Sequence, residues 1–409
     1  MNKKRSNFKI LQITKNKFPP EIRVLKEGRS LCNAGYVSAV ICPPFGNQPE
    51  YEELEGIKIF RPKVLKNRSF IDKIFEFIFL YSPSWQKATK EIVKTFQPNV
   101  LHIHDIWLGN SAFAAKKNQK VVLDLHENMP GAVVEFQKGY NFSKRFIFGI
   151  FQSYYRTFKL EKKLIRKADL VFVVVQEAKK RVEYDHIDID SEKIINIENL
   201  ESLDFTKNSS GKSVIYYKNG FSITYIGGMT PERGLETVIK AMKIIKENKL
   251  NINLNLIGAD NSKYVKYLKS CVNKLNLNKT INFHDWIKFV NVLPTIKSSD
   301  LCIVPHHSNP HTDNTIPHKL YQYMISKKAV LVSTSGPLRR VVNKSKSGLI
   351  FKAGDPFDCA EKIIYAYKNP KELLKMGING FDYLVFKKNN WEEVSSKNLI
   401  KAYDNLLIK

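Results

Sequence analysis

Two runs of alternating strand-like and helix-like segments, separated by one polar break, constrain this chain more than any other feature. Short β-branched segments recur at Phe8–Ile13, Val37–Cys42, Val100–His104, Lys120–Leu125, Leu170–Val175 and Lys193–Ile197. Stretches between several of them carry apolar residues at helical spacing, as in Ala88, Ile92, Val93 and Phe96. Such alternation predicts a parallel α/β sheet covered by helices. The break, Asp204–Gly220, is rich in Asn, Ser, Gly and Lys and reads as a linker, with strand-like content at Val214–Tyr217. The alternation then restarts with Ser222–Gly227, Ile252–Ile257, Thr280–Phe283, Leu301–Pro305, Ala329–Ser333 and Gly348–Phe351. The fold expected is α/β, with two Rossmann-like domains facing each other across a cleft. The first covers residues 1–203, a linker 204–220 follows, and the second covers 221–387. A final helix within 388–409 is expected to pack back toward the first domain. Ligands of such sheets bind at the carboxyl edges of the strands.

With 409 residues, 43% of them hydrophobic, the chain can bury ample cores. Its five cysteines are odd in number, scattered and without CxxC spacing, which argues against a disulfide framework and a zinc site and fits a reducing cytoplasm. The start has lysines on both sides of a very short apolar run, unlike a signal peptide. The apolar stretch Phe70–Tyr81 is interrupted by Lys73 and Glu76 and falls short of a spanning helix. The expectation is a cytoplasmic protein, peripheral at most at the inner face of the plasma membrane.

A formal net charge of +27 attracts polyanions without choosing among them. No nucleic-acid module is recognisable, so nucleic acid is not assigned as a partner. The most uneven stretch is Gln137–Ala168, where nine cations face the single acid Glu161 and eight aromatic residues interleave with them. Two readings stand side by side: a helix lying on an anionic leaflet, or an amphipathic helix packing its rings into the core.

Several constellations carry chemistry. The second half opens on a strand ending in Gly227-Gly228 and continues through Arg233-Gly234 into a helical pattern. Paired glycines let backbone approach a phosphate, and Arg233 supplies charge to it. Downstream, Asn314 or Thr315 reads as a helix cap with Pro317 in the first turn, so free N–H groups and the positive dipole end would meet a donor diphosphate there. In the first half, His102-Ile103-His104-Asp105 and Asp124-Leu125-His126-Glu127 end two successive strands. Polar residues there can hydrogen-bond a sugar, and Asp105 and Glu127 are candidates on the acceptor side. A metal reading draws on the same residues. Alternation, however, turns His102 and His104 to one face and Asp105 to the other, and no further ligand motif joins them, so no metal is assigned. His306, His307, His311 and His318 read as polar lining, and Asp188-Ile189-Asp190 as a surface turn.

Taken together, the chain resembles the family 4 (group 1) glycosyltransferases of the GT-B fold nearly end to end. The resemblance rests on Arg23-Val24, Ser30-Leu31, Gly35-Tyr36, Asp124-Leu125-His126-Glu127, Ala168-Asp169 and Asn199 in the first half. In the second it rests on Tyr225-Ile226-Gly227, Arg233-Gly234-Leu235-Glu236, Gly258, Lys319-Leu320-Tyr321, Tyr323-Met324, Ser347-Gly348-Leu349-Ile350-Phe351 and Gly354-Asp355. It implies a retaining transferase that uses a nucleotide diphosphate sugar and needs no cofactor or metal. His126 would contact the donor sugar near the reacting carbon, and Arg233 with the segment Thr315–Lys319 would stabilise the departing diphosphate.

Three departures from the family pattern stand out. The family's paired glutamates align with the amides Asn314 and Gln322, of which Gln322 still offers a carbonyl oxygen to ribose hydroxyls. Gly228 stands where many members carry a phosphate-binding arginine, leaving Arg233 and Lys319 for that task. Thr14–Pro20 replaces the glycine-rich loop after the first strand. The expected donor-binding set is therefore Gly227, Gly228, Asn314, Thr315, Lys319 and Gln322. The expected partners are a nucleotide sugar, a glycan or lipid-linked acceptor of bacterial surface polysaccharide synthesis, and an anionic membrane surface. The rival reading is a catalytically silent assembly subunit that binds a nucleotide, a glycan or a partner enzyme.

Overall fold

A computed structural model describes residues 5–207, 210–215 and 220–408. The chain divides into two compact units, one made of residues up to Glu198 together with the segment from Ser395 onward, the other of Asn199–Val394. The division falls at Glu198/Asn199, not after residue 203, and the returning segment starts at Ser395, not at 388. Of the strand-like segment read at Val214–Tyr217, Tyr216 and Tyr217 lie outside the described residues, and no strand is assigned at Val214 or Ile215.

The first unit is built on eight strands: β1 (Lys9–Ile13), β2 (Val37–Ile41), β3 (Tyr51–Leu54), β4 (Ile57–Phe60), β5 (Val100–His104), β6 (Lys120–Leu125), β7 (Leu170–Val173) and β8 (Ile194–Asn196). Their order is β3-β4-β2-β1-β5-β6-β7-β8. All neighbours run parallel except β3, which pairs antiparallel with β4. That hairpin is absent from the strands expected from sequence. Glu55 and Gly56 turn it with positive φ, and β3, YEEL, is an exposed edge strand with too little apolar content to announce itself. The central strands are buried on both faces, which is why they read as continuous apolar runs.

Five helices of this unit matter below: α1 (Ile22–Ala34), α2 (Phe70–Phe79), α3 (Gly109–Ala115), α4 (Phe142–Phe151) and α5 (Tyr154–Lys167). The basic aromatic stretch expected as one helix is two, broken at Gln152-Ser153, where the Ser153 side chain caps α5 by accepting from Arg156 N–H. The core-packing reading holds for the second half alone. Helix α5 packs Leu160, Leu164 and Ile165 into the core, whereas α4 buries none of its residues. Glu161, the lone acid, is fully buried and accepts from Arg181 and His186. The last helix, Ser396–Leu407, is tied to the start of this unit by Arg5, whose guanidinium donates to Asp404 at 2.6 and 2.8 Å.

Among its described residues the second unit has six strands, all parallel: β9 (Phe221–Ile226), β10 (Ile252–Ala259), β11 (Ile281–Asp285), β12 (Leu301–Val304), β13 (Ala329–Ser333) and β14 (Gly348–Phe351), ordered β11-β10-β9-β12-β13-β14. Each coincides with a strand expected from sequence to within a residue or two. Ile223, Tyr225, Leu254, Leu256, Leu301, Ile303 and Leu331 bury against Val238 and Met242 of α6 (Leu235–Glu247) to make its core. In both units the strand order reverses once, between β1 and β5 in the first and between β9 and β12 in the second. Crevices at such switch points, at the carboxyl ends of the strands, are where open α/β sheets bind ligands. Among the described residues no helix is long and apolar enough to cross a membrane.

Candidate functional site

At the switch point of the second unit, β9 runs into Gly227 and β12 into Pro305-His306. The turn after β9 is fastened to the loop after β12: His307 N–H donates to Glu232 O at 3.0 Å, and the His307 ring meets the Glu236 carboxylate at 2.7 Å. Gly234 makes this possible. Its φ is +67°, and a Cβ there would sit 2.1 Å from Pro305 O. The same turn aims Arg233, whose Nη1 donates to His306 Nε2 at 3.1 Å. That bond requires a lone pair on Nε2 and hence a neutral ring. Burial, then the charges of Arg233 and Lys319, hold the His306 pKa well below the usual imidazole range. Its Nδ1 is buried without a partner among the described residues.

Lys319 comes to the same place from α7 (His318–Ile325). Its ammonium lies 3.7 Å from the centroid of the Tyr225 ring. Gly227 leaves room for it: φ is +134°, and a Cβ would fall 2.5 Å from Lys319 Nζ. Burial first, and the nearby Arg233 second, push the Lys319 pKa well below the usual lysine value. Two hydroxyls fix the frame. Tyr225 donates to Gly228 O at 2.6 Å, and Tyr323 of α7 accepts from Ile226 N–H at 2.8 Å. The only carboxylate ion-paired with Arg233 among the described residues is Glu232, at 3.7 Å, and Lys319 has none. Two cations and a neutral imidazole thus converge where an anion would be stabilised by both charge and hydrogen bonds.

One expectation fails. The helix does not start at Asn314 or Thr315. Thr312–Asn314 is a single 3-10 turn, Asn314 donates its side-chain amide to Pro310 O at 2.8 Å, and Pro317 is itself the cap of α7. Thr315 and Pro317 are extended, so the first helical turn begins at His318. Proline residues at 310 and 317 and the Thr312 hydroxyl bond to His307 O fix this loop, and these contacts outweigh the local capping preference. Gln322 lies buried on α7. Three of the four histidines have separate partners: His306 lies under Arg233, His307 meets Glu236, and His318 meets Glu201 at 2.9 Å.

The first unit holds a buried polar network at its own switch point. Arg23 of α1 donates from Nε and Nη2 to both oxygens of Asp124 at 2.8 Å, and from Nη1 to Ile197 O at 3.0 Å. Nη2 also lies 3.1 Å from Glu27. His104 donates from Nε2 to Gln12 Oε1 at 3.1 Å, because Gln12 spends its amide nitrogen on Ser38. Its Nδ1 is therefore the acceptor for His126 Nε2–H at 3.0 Å, a proton His126 shares with Asp124 at 2.9 Å. Burial, then His102, keeps the His104 pKa far below the imidazole range. For His126 burial opposes protonation, but Asp105 and Asp124 outweigh it and push the pKa up to about 10. Burial also lifts Glu27 to about 7 against the pull of Arg23, and Asp105 to about 6 against that of His126. Tyr403 of the last helix closes the network on His102 Nδ1 at 2.9 Å.

Asp105, with φ of +60°, turns its carboxylate to the His126 N–H at 3.0 Å; it orients His126. Glu127 sits half-buried just beyond. Ligand atoms of Glu27, His102, His104 and Asp124 lie within 4.8 Å of one another. Both carboxylates there already face Arg23, and His126 adds a second charge, so an added cation would meet repulsion as well as ligands. Sequence reasoning missed Arg23, Glu27, Gln12 and Tyr403 as parts of this network. A charged pair four residues apart on a helix whose other face is apolar was the available signal. Asp188 and Asp190 are a surface turn, as read: Asp188 pairs with Arg166 and Lys162, and Asp190 accepts from Glu192 N–H.

The comparisons follow the same division. A family model described as Glycosyltransferase Family 4 matches residues 21–199, and one described as Glycosyl transferases group 1 matches 208–383. No match is found among curated protein sequences. Among solved structures, sucrose-phosphate synthase from Thermosynechococcus elongatus is similar with a TM-score of 0.79 at 18% identity, over 98% of this chain and 99% of that one. A glycosyltransferase from Rickettsia africae gives 0.69 at 16%, over 98% and 99%. Anabaena HepE in complex with UDP-glucose gives 0.67 at 13%, over 98% and 100%. At these identities the likeness is one of fold.

Proposed function

We propose that this chain, which belongs to the family 4, group 1 glycosyltransferases and is a glycosyltransferase of GT-B fold, takes its sugar from a nucleotide diphosphate donor held by the second unit. The observation that carries the reading is the meeting of Arg233, Lys319 and His306 at the β9/β12 switch point, with Gly227 clearing the approach. Glycosyl transfer builds positive charge on the sugar and negative charge on the leaving diphosphate. Cations already fixed at the phosphates stabilise that charge without reorganising. Their presence supports transfer without a metal, and the family resemblance supports retention of anomeric configuration.

His126 is the candidate for contact with the donor sugar. Asp124 accepts from its ring and Asp105 from its backbone N–H, and the two carboxylates favour the charged ring. Gly228 O is engaged by Tyr225, so this residue acts through its bare Cα surface. Gln322 remains the candidate for the ribose hydroxyls, while Asn314 serves its own loop. The acceptor is a glycan or lipid-linked glycan of bacterial surface polysaccharide synthesis, met at the inner face of the plasma membrane. HepE, whose structure holds UDP-glucose, supports a nucleotide sugar as donor class. The test is a thermal-shift screen of the purified chain against nucleoside diphosphates. A bound nucleotide raises the midpoint, and no rise with any of them at millimolar concentration refutes the reading.

A further inference from the structure

The first unit carries a surface that sugar transfer does not use. Helix α4, FSKRFIFGIF, leaves Phe142 86% and Phe146 62% exposed, and its charged residues, Lys144 and Arg145, are both cations in the open. Helix α2 lies against it through Phe77, whose ring centroid is 4.9 Å from Phe148 and 5.5 Å from Phe151. It adds Phe70 at 77% and Ile71 at 67% exposure. The acids of α2 do not offset the charge, because Asp72 and Glu76 are both paired with Arg68 and Glu76 also with Lys15. Beside these helices a cavity of about 500 Å³ is lined by Phe75, Phe79, Phe113 and Leu164, together with Lys163 and Lys167.

Exposed rings on this scale mark an interaction site. Charge decides the occupant. A second copy would bring Lys144 and Arg145 against themselves, and an apolar protein face would leave them unpaired. An anionic bilayer answers both features, with rings at the acyl boundary and cations at the phosphates. We propose that α2 and α4 dock this chain on an anionic lipid bilayer, Lys144 and Arg145 meeting headgroup phosphates, and that the adjacent cavity takes one lipid acyl chain beneath a phosphate held by Lys163 and Lys167. The inference rests on the first unit and not on the donor chemistry of the second.

The test is co-sedimentation of the full chain with vesicles of phosphatidylglycerol and phosphatidylcholine at about 1:3, against vesicles of phosphatidylcholine alone. Binding is expected to the first only, and to weaken with salt. Phe142→Ser with Phe146→Ser is expected to lower it at least about tenfold while leaving the thermal midpoint unchanged, since neither ring is buried. Lys144→Glu, Arg145→Glu and the pair Lys163→Glu, Lys167→Glu should each lower it, by about fivefold per charge removed. Equal binding to both vesicles, binding to neither, or a wild-type dimer that the phenylalanine variant converts to monomer in light scattering would each overturn the proposal. Because no donor is present, such a failure leaves the transferase reading standing.

Discussion

Replacing Gly227 by alanine tests the donor site through a residue with no side chain of its own. The new Cβ would lie 2.5 Å from Lys319 Nζ and 3.0 Å from Cε. Both atoms are the far end of a flexible side chain, so Lys319 swings away and the clash costs the fold little. What remains is the backbone: φ of +134° is a region alanine occupies at a cost of about 1–3 kcal/mol. The loss in binding is separate. Displacing the ammonium removes one charge-assisted contact to the phosphates, worth about 1.5–3 kcal/mol, or roughly 10- to 150-fold in Kd. Titration calorimetry with a nucleoside diphosphate that stabilises the wild type measures it, and Lys319→Met supplies the second arm of a cycle. If Lys319 mediates the effect, Gly227→Ala in the Lys319→Met background should change affinity less than about threefold. Equal losses in the two backgrounds would refute the reasoning, because the alanine would then act on the ligand directly or on the fold.

Arg233→Ala should cut kcat/KM by about 10²–10³, and by stranding His306 Nε2 it should cost about 1–3 kcal/mol of stability; transfer assays with a radiolabelled sugar nucleotide would show the first and urea melts the second. His126 has a folded pKa of about 10, above its unfolded value. Its contribution of a few kcal/mol is therefore complete below about pH 6.5 and lost as pH rises toward 10. Urea melts of His126→Gln should lack that alkaline decline. Tyr403→Phe strands His102 Nδ1 in a buried site and should cost about 1–3 kcal/mol in the same melts.

How the site is distributed explains which parts could be read early. Gly227, Arg233 and Lys319 were legible because each sits beside a local signal: a strand end, a glycine turn, a helix start. That they meet was implied only by the family resemblance and not by local signals, because β9 and β12 become neighbours only through the crossing over of β10 and β11. The start of α7 was misread for the converse reason. Asn314 and Thr315 are good caps locally, but Thr312 and Asn314 spend their side chains on His307 O and Pro310 O. In the first unit nothing local to Arg23 announced its partner, because Asp124 reaches it from a distant strand.

The amino-acid sequence by itself determined what depends on neighbours along the chain: twelve of the strands, the restart after the polar break, the glycines at turns and the excess of positive charge. Burial and partnership were decided by tertiary structure. Helices α4 and α5 both mix cations with aromatic rings, yet α5, the more highly charged, packs into the core and α4 remains outside. Composition specifies which groups can desolvate together, but the free energy of a ring or a charge depends on which surface reaches it. For Arg23, Lys319 and Phe142 that surface comes from residues far away in the chain, or does not come at all.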